Sequence, residues 1–297
     1  MRKYKRKVSV IMGIHNQWDK NALFDAVDSI LQQSLQDFEF IIYDDGSHEE
    51  VGKWIRELAL LDERIVVIGK NKNHGLAFSL NQCIKQSTGM YIARMDADDI
   101  CMPYRLEKQI DFLEHHPEYM WCGCNAILFD EDGVYGERKM PEIPSKDDYL
   151  KYSPFIHPSV IFRADLFECM GEYCVSKETL RCEDYELFMR FHQAGYRGYN
   201  LQENLFQYRE NKASFKRRKF TARVNEAKIR YKNFKAMKLL LPKGWVYVLR
   251  PIIAGFVPQE ILLCLKKSEA KEIQYENRTK RAKNGAIQTN IAKETNL

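Results

Sequence analysis

Phe38-Glu-Phe-Ile-Ile-Tyr-Asp-Asp-Gly-Ser47 and Gly89-Met-Tyr-Ile-Ala-Arg-Met-Asp-Ala-Asp-Asp99 share one plan, an apolar run of strand length that ends in acidic residues. Val8–Ile14 before them and Ile65–Ile68 between them repeat the character of Phe38–Tyr43 and Met90–Met95, so the first hundred residues are expected to hold four strands. The joining segments carry the helical period instead. Asp19 can cap a helix with Leu23, Val27, Ile30 and Leu31 on one face. Val51, Ile55, Leu58 and Leu61 mark a second helix, and Leu76, Leu80, Cys83 and Ile84 a third that stops at Thr88-Gly89. Helical crossovers of this length join parallel strands covered on both faces. The expected fold class is α/β, a layered sheet flanked by helices whose ligands bind at the carboxyl ends of the strands. Both acidic clusters stand at such ends.

Beyond residue 100 the pattern is less regular. Pro103 opens a helix through Leu106, Ile110 and Leu113 that stops at Pro117. Tyr119–Cys124, Ala126–Phe129 and Pro158–Arg163 read as strands, with a turn at Glu131-Asp-Gly133. Glu183–Ala194 reads as a helix stopped by Gly195, and a basic helical pattern runs from about Phe215 to Leu240. Three regions are expected: a globular unit over residues 1–210, a basic and amphipathic helical extension over 211–267, and a polar, flexible tail over 268–297.

With 45% apolar and 29% charged residues, the chain has the balance of a folded protein rather than a disordered or collagen-like one. Its net charge of +5 is unevenly placed. Residues 211–297 hold 21 Lys and Arg against 6 Asp and Glu, which gives them +15 and leaves −10 for residues 1–210. A tail of this charge suits nucleic acid or an anionic membrane, and a solvated helix face is the plainer reading. The eight cysteines form no C-x-x-C pair, and the basic start Met1–Lys7 leads straight into Val8 without the apolar core of a signal peptide. A cytoplasmic protein with reduced thiols is expected.

The first strand-to-helix turn, Met12-Gly-Ile-His-Asn16, lacks both G-x-G-x-x-G and G-x-x-x-x-G-K-[ST], which disfavours a dinucleotide enzyme and a P-loop ATPase. If the chain binds a nucleotide, its phosphates must be neutralised otherwise, and a divalent ion held by carboxylates is the obvious means. Asp96 and Asp98 are two apart, so in an extended segment both would point to one side and could share an ion. A short D-x-D is also the sequence of a solvated turn; the strand context and the second acidic cluster favour the metal.

Four stretches in order, Val8–Met12, Gln33–Ser47, Asn73–Asn81 and Gly89–Asp99, followed by Arg181-Cys-Glu-Asp-Tyr-Glu-Leu187, resemble glycosyltransferase family 2, with its GT-A fold. The resemblance covers roughly residues 7–210. It implies a donor-binding half to about residue 100 and an acceptor half over about 101–210. The implied reaction is an inverting transfer of a hexose or N-acetylhexosamine from a nucleoside-diphosphate sugar, most often UDP-linked, with Mn²⁺ or Mg²⁺. Asp45 would contact the uracil or ribose, Asp98 would bind the metal with Asp96 beside it, and Asp184 would be the base. His157, in a His-Pro-Ser segment, and Glu183 would stand on the acceptor or metal side. Gly13-Ile14-His15 departs from the Pro, small residue and Tyr frequent in the family, which touches the nucleoside contacts and not the fold.

In a single displacement an acceptor hydroxyl attacks the anomeric carbon as the diphosphate leaves, through an oxocarbenium-like transition state. Charge must be neutralised on the diphosphate, and a carboxylate must take the hydroxyl proton on the opposite side of the ring. The acceptor is expected to be a glycan, many relatives extending lipid-diphosphate-linked ones at the inner leaflet, in the synthesis of surface polysaccharide such as capsule or O-antigen. Residues 241–267 are strongly apolar, but Arg250, Pro251, Pro258 and Glu260 break every window of the roughly 20 residues that a span needs. Trp245, Tyr247, Leu249, Ile252, Ile253, Phe256, Val257, Ile261, Leu262 and Leu265 instead suit a peripheral membrane contact, with packing on the globular unit or a homodimer contact as the alternative. A nucleic-acid-binding protein using the basic tail is the competing function. It leaves both acidic clusters unexplained, since carboxylates repel a phosphate backbone.

Overall fold

The computed structural model describes residues 4–70, 72–210 and 220–256. Strand β1 (Arg6–Ile14) runs through the middle of the molecule with Val8, Val10, Met12 and Ile14 buried on one side and Ile11 on the other, the two-sided burial that a continuous apolar run predicts. It pairs in parallel with β2 (Phe38–Asp45) on one side and β4 (Gly89–Arg94) on the other, and β3 (Ile65–Lys70) lies outside β2. The crossovers are α1 (Lys20–Leu31), α2 (Glu49–Leu58) and α3 (Leu76–Gln86). Asp19 caps α1 as expected, its side chain accepting the Ala22 amide at 3.0 Å. The chain steps outward from β1 to β3 and returns to β4 across β1. A crevice therefore opens at the carboxyl ends of β1, β2 and β4, where the strand order reverses.

The sheet continues through β5 (Ile100–Cys101), β6 (Trp121–Asp130), β7 (Gly133–Arg138), β8 (Ile161–Arg163) and β9 (Gly198–Arg209), in the order β3-β2-β1-β4-β8-β6-β9-β5 with β7 paired to β6. The remaining helices are α4 (Arg105–His115), α5 (Ala164–Met170), α6 (Glu183–Gln193), α7 (Phe220–Ala236) and α8 (Pro242–Ile253). Helices α1, α2 and α4 bury their apolar faces on one side of the sheet, and α3, α5, α6, α7 and α8 on the other. This is a three-layer α/β fold.

The two strands expected at Tyr119–Cys124 and Ala126–Phe129 are one. Asn125 does not interrupt it, because its side chain accepts the Met140 amide at 2.8 Å and the pairing with β9 shifts register there. Of the strand expected at Pro158–Arg163 only β8 forms, His157–Ser159 being a 3₁₀ turn. Among the described residues the basic helix runs over Phe220–Ala236. Its expected start at Phe215 lies outside the described residues, as do Val257, Ile261, Leu262, Leu265 and the tail 268–297. Among the described residues no helix is long and apolar enough to cross a membrane.

Candidate active site

At the end of β2, side-chain alternation turns Asp44 and Asp45 to opposite sides. Asp45 is 2% exposed, and its carboxylate accepts the amides of His74 at 2.9 Å and Gly75 at 2.7 Å, just ahead of α3. The amides at this helix start are thus taken by the protein's own carboxylate. Gly46 has φ +71°, and a Cβ there would stand 2.8 Å from the Lys72 backbone, so the turn admits only glycine. His15 Nδ1 lies 3.1 Å from the Asp45 carbonyl oxygen, which brings the first strand end to the same spot.

Asp96 and Asp98 do not lie in an extended segment, because the chain turns at Ala97-Asp98. The fully buried Arg94 guanidinium pairs with Asp96. Arg209, at the end of β9, donates from Nε to the Asp98 carbonyl at 2.8 Å and from its backbone N–H to Asp99 Oδ1 at 2.8 Å. From beneath, the buried Arg105 donates to the Arg94 carbonyl at 2.9 Å. The turn is therefore fixed from three sides. Burial and then the neighbouring Asp96 charge push the Asp98 carboxyl up to about 6, against the pull of Arg209 and Arg94. Asp99 is raised well above the usual range by burial and by both neighbours, and its Oδ2 is buried with no hydrogen-bond partner among the described residues. This crowd of partly desolvated acids suits added positive charge, which a hard divalent ion would supply. Among the described residues no three His, Cys, Asp or Glu side chains form a cage. A Mg²⁺-type ion on one or two carboxylates plus substrate phosphates needs none.

The second acidic pair opens α6. Burial pushes Glu183 up to about 7, with the Asp184 charge adding to it, and burial likewise raises Asp184 against the stabilising amides of the first turn. Both acidic groups act on Tyr173, which sequence reasoning did not single out. Its hydroxyl lies 2.7 Å from His157 Nε2, and its backbone is pinned both ways by the Asn81 side chain, at 2.8 and 2.9 Å. Arg94, Asp184, Glu183 and Asp96 all act electrostatically on its phenol, which burial raises most. His157 is buried, and burial and Arg94 keep it well below its usual pKa. A cleft of about 250 Å³ runs from the start of α3, His74–Ala77, to the segment from Val175 to Arg181, with Glu183 in its wall. Glu183 lines this cleft; Asp184 does not.

The raised Glu183 gives a stability test. An unfolded Glu titrates at about 4.3. The folded chain holds this proton more tightly, so the group favours folding most below that value, and the advantage is lost as pH rises toward about 7. Glu183→Gln should raise Tm by a few degrees at pH 8, with the gap closing by about pH 4 in thermal melts. A constant gap across that range would refute the titration.

The Glycosyl transferase family 2 model matches residues 9–171. The putative glycosyltransferase EpsE of Bacillus subtilis is 40% identical over 257 residues, which cover 86% of this chain and 91% of that protein. The amylovoran biosynthesis glycosyltransferase AmsE of Erwinia amylovora is 29% identical over 89% of this chain and 99% of its own. The O-antigen biosynthesis glycosyltransferase WbnJ of Escherichia coli is 33% identical over 70% and 82%. Among solved structures, the mannosyltransferase PcManGT of Pyrobaculum calidifontis, in complex with GDP-Man and Mn²⁺, superposes with a TM-score of 0.58 at 18% identity, over 94% of this chain and 84% of that one. That likeness carries the fold, with its curled sheet and helices on both faces. With acidic clusters at the strand ends, this fold and relatives matched over most of their length, the chain belongs to glycosyl transferase family 2 and is a glycosyltransferase of GT-A fold.

Proposed function

We propose that this glycosyltransferase moves a hexose or N-acetylhexosamine, with inversion, from a UDP-linked sugar to a glycan acceptor carried on a lipid diphosphate. The reaction belongs to surface polysaccharide synthesis, at the cytoplasmic face of the membrane. The observation that carries the reading is that the buried Arg94, paired with Asp96, also acts on Glu183 and Asp184 from a distant part of the chain, and that Asp96, Glu183 and Asp184 all act on the buried Tyr173. One acidic group suits the leaving diphosphate and the other the incoming hydroxyl. The O-antigen role in the name of WbnJ supports the product class.

Asp184 takes the acceptor proton as the hydroxyl attacks the anomeric carbon, and its burial-raised pKa brings it nearer the operating pH, where a general base is most effective. Glu183, in the cleft wall, stands on the acceptor side. Asp98, with Asp96 beside it, would hold Mn²⁺ or Mg²⁺, which when bound supplies positive charge to the departing diphosphate. Arg94 pairs with the Asp96 carboxylate, and Arg209 fixes the backbone of Asp98 through its carbonyl. Asp45 orders the nucleoside edge through the loop before α3.

Calorimetry with Mn²⁺ against UDP-glucose, UDP-galactose, UDP-N-acetylhexosamines and GDP-mannose should give metal-dependent binding of a UDP-sugar. Binding of GDP-mannose alone would overturn the choice of base, and binding of none would overturn the reading.

A further inference from the structure

Helix α8 packs one side on the protein and leaves a large apolar stripe bare on the other. Gly244, Val248 and Pro251 are buried, whereas Trp245, Val246, Leu249 and Ile253 are 46–63% exposed at positions that share one helix face. Leu241 and Phe256, 72% and 77% exposed, prolong the stripe at its ends. A contiguous stripe of large apolar residues marks a contact surface, unlike single exposed leucines. Lys243 and Arg250 border it on one flank, and on the other the Trp245 ring meets Tyr231 of α7 at 5.5 Å. Beside Tyr231, α7 exposes Lys228, Lys232 and Lys235.

Charge decides what covers the stripe. Residues 220–256 carry eight Lys and Arg and a single carboxylate, Glu226, which is buried and paired with Arg230 at 2.9 Å. Outside this segment the exposed Glu178 reaches Lys228 at 4.0 Å, and Lys232, Lys235, Lys243 and Arg250 have no exposed carboxylate on α7 or α8 to answer them, so a second copy docked on the same face would bring these four cations together. An anionic bilayer answers both features. The apolar stripe enters the acyl boundary, Trp245 and Tyr231 sit at headgroup level, and the lysines meet lipid phosphates. At 12 residues α8 is about 18 Å long, too short to span and long enough to lie in the interface.

We propose that α8 lies in the surface of an anionic bilayer, its stripe inserted and the lysines of α7 on the headgroups. The inference deepens the reading above, and rests on it for its consequence, because the extension is clamped to the helix that carries Glu183 and Asp184. Arg230 stacks over the Tyr185 ring at 4.9 Å, and Gln193 donates to Asn233 at 2.7 Å. Docking would thus hold the start of α6 at a fixed attitude to a lipid-borne acceptor.

The full chain should sediment with phosphatidylglycerol–phosphatidylcholine vesicles at low salt, much less with phosphatidylcholine alone, and be released by salt. Trp245→Glu with Leu249→Glu should weaken vesicle binding at least about tenfold while leaving sugar-nucleotide binding unchanged. Lys232→Glu with Lys235→Glu, which leaves the stripe intact, should weaken it as well. The proposal is overturned if the native chain ignores the mixed vesicles, or if the stripe variant binds them as the native chain does. It is equally overturned if the native chain is a dimer in solution that the stripe substitutions dissociate. Vesicle binding without sugar-nucleotide binding would sink the enzymatic reading and leave this one standing, and the converse result would do the opposite.

Discussion

Asp98→Asn is expected to lower turnover by at least about a hundredfold and to abolish the dependence of donor binding on Mn²⁺ or Mg²⁺. The substitution keeps the shape of the side chain and removes its charge. The turn around it should persist, because Arg209 holds the backbone carbonyl of residue 98 and the side chain of Asp99 rather than the Asp98 carboxylate. Without added metal the variant should also be at least as stable as the native chain at neutral pH. An acid raised to about 6 in the folded chain holds its proton more tightly there than when unfolded. Its contribution is therefore greatest below about pH 4 and is lost as pH rises through 6, and the amide escapes that loss. Inactivity with an unchanged or higher Tm would separate a lost metal ligand from a collapsed site. Normal turnover with the natural donor would remove Asp98 from the metal assignment.

The first half of the molecule was legible because its strands are buried on both faces and must be continuously apolar, as Val8–Ile14 and Phe38–Tyr43 are. Strand β9 was not, although it fixes the Asp96–Asp99 turn through Arg209. Its middle, Gln202-Glu203-Asn204, carries no apolar alternation, and the strand exists because β6 and the short β5 pair with it. A tertiary pairing decides such a segment, and no local period records it. The two-residue spacing of Asp96 and Asp98 misled for a related reason. Arg94 draws Asp96 to itself, and Arg209 and Arg105 hold the backbone in a turn, so the extended geometry that would align both carboxylates does not form. Tyr173 gave no sequence signal, since its partners His157 and Asn81 stand 16 and 92 residues away. The acidic motifs themselves were readable, being short, local and set at strand or helix ends. The basic extension was readable in charge, but which side of α8 it leaves bare emerged only from the packing of Gly244, Val248 and Pro251.

The helix-opening pair yields the second large effect. Asp184→Asn should lower kcat by roughly 10²–10⁴, the usual worth of a general base, while the UDP dissociation constant stays within a few fold. The split follows from where the residue sits. Asp184 lies in the first turn of α6, and the charges that act on it are Arg94 and Glu226 rather than Asp98. The pH profile gives a readout that misfolding would not mimic. Burial raises the Asp184 pKa, so the acid limb of kcat/KM in the native enzyme should lie above the ordinary aspartate value of about 4, with activity falling as pH drops and the carboxylate takes its proton. That limb should vanish from the residual activity of the asparagine variant. Glu183 is the internal control, because it lines the cleft and burial pushes its carboxyl up to about 7. If Glu183→Gln loses kcat and the acid limb while Asp184→Asn keeps both, the base is Glu183. If Asp184→Asn loses UDP affinity as much as turnover, Asp184 is a donor ligand, and the incoming hydroxyl must give its proton to another group.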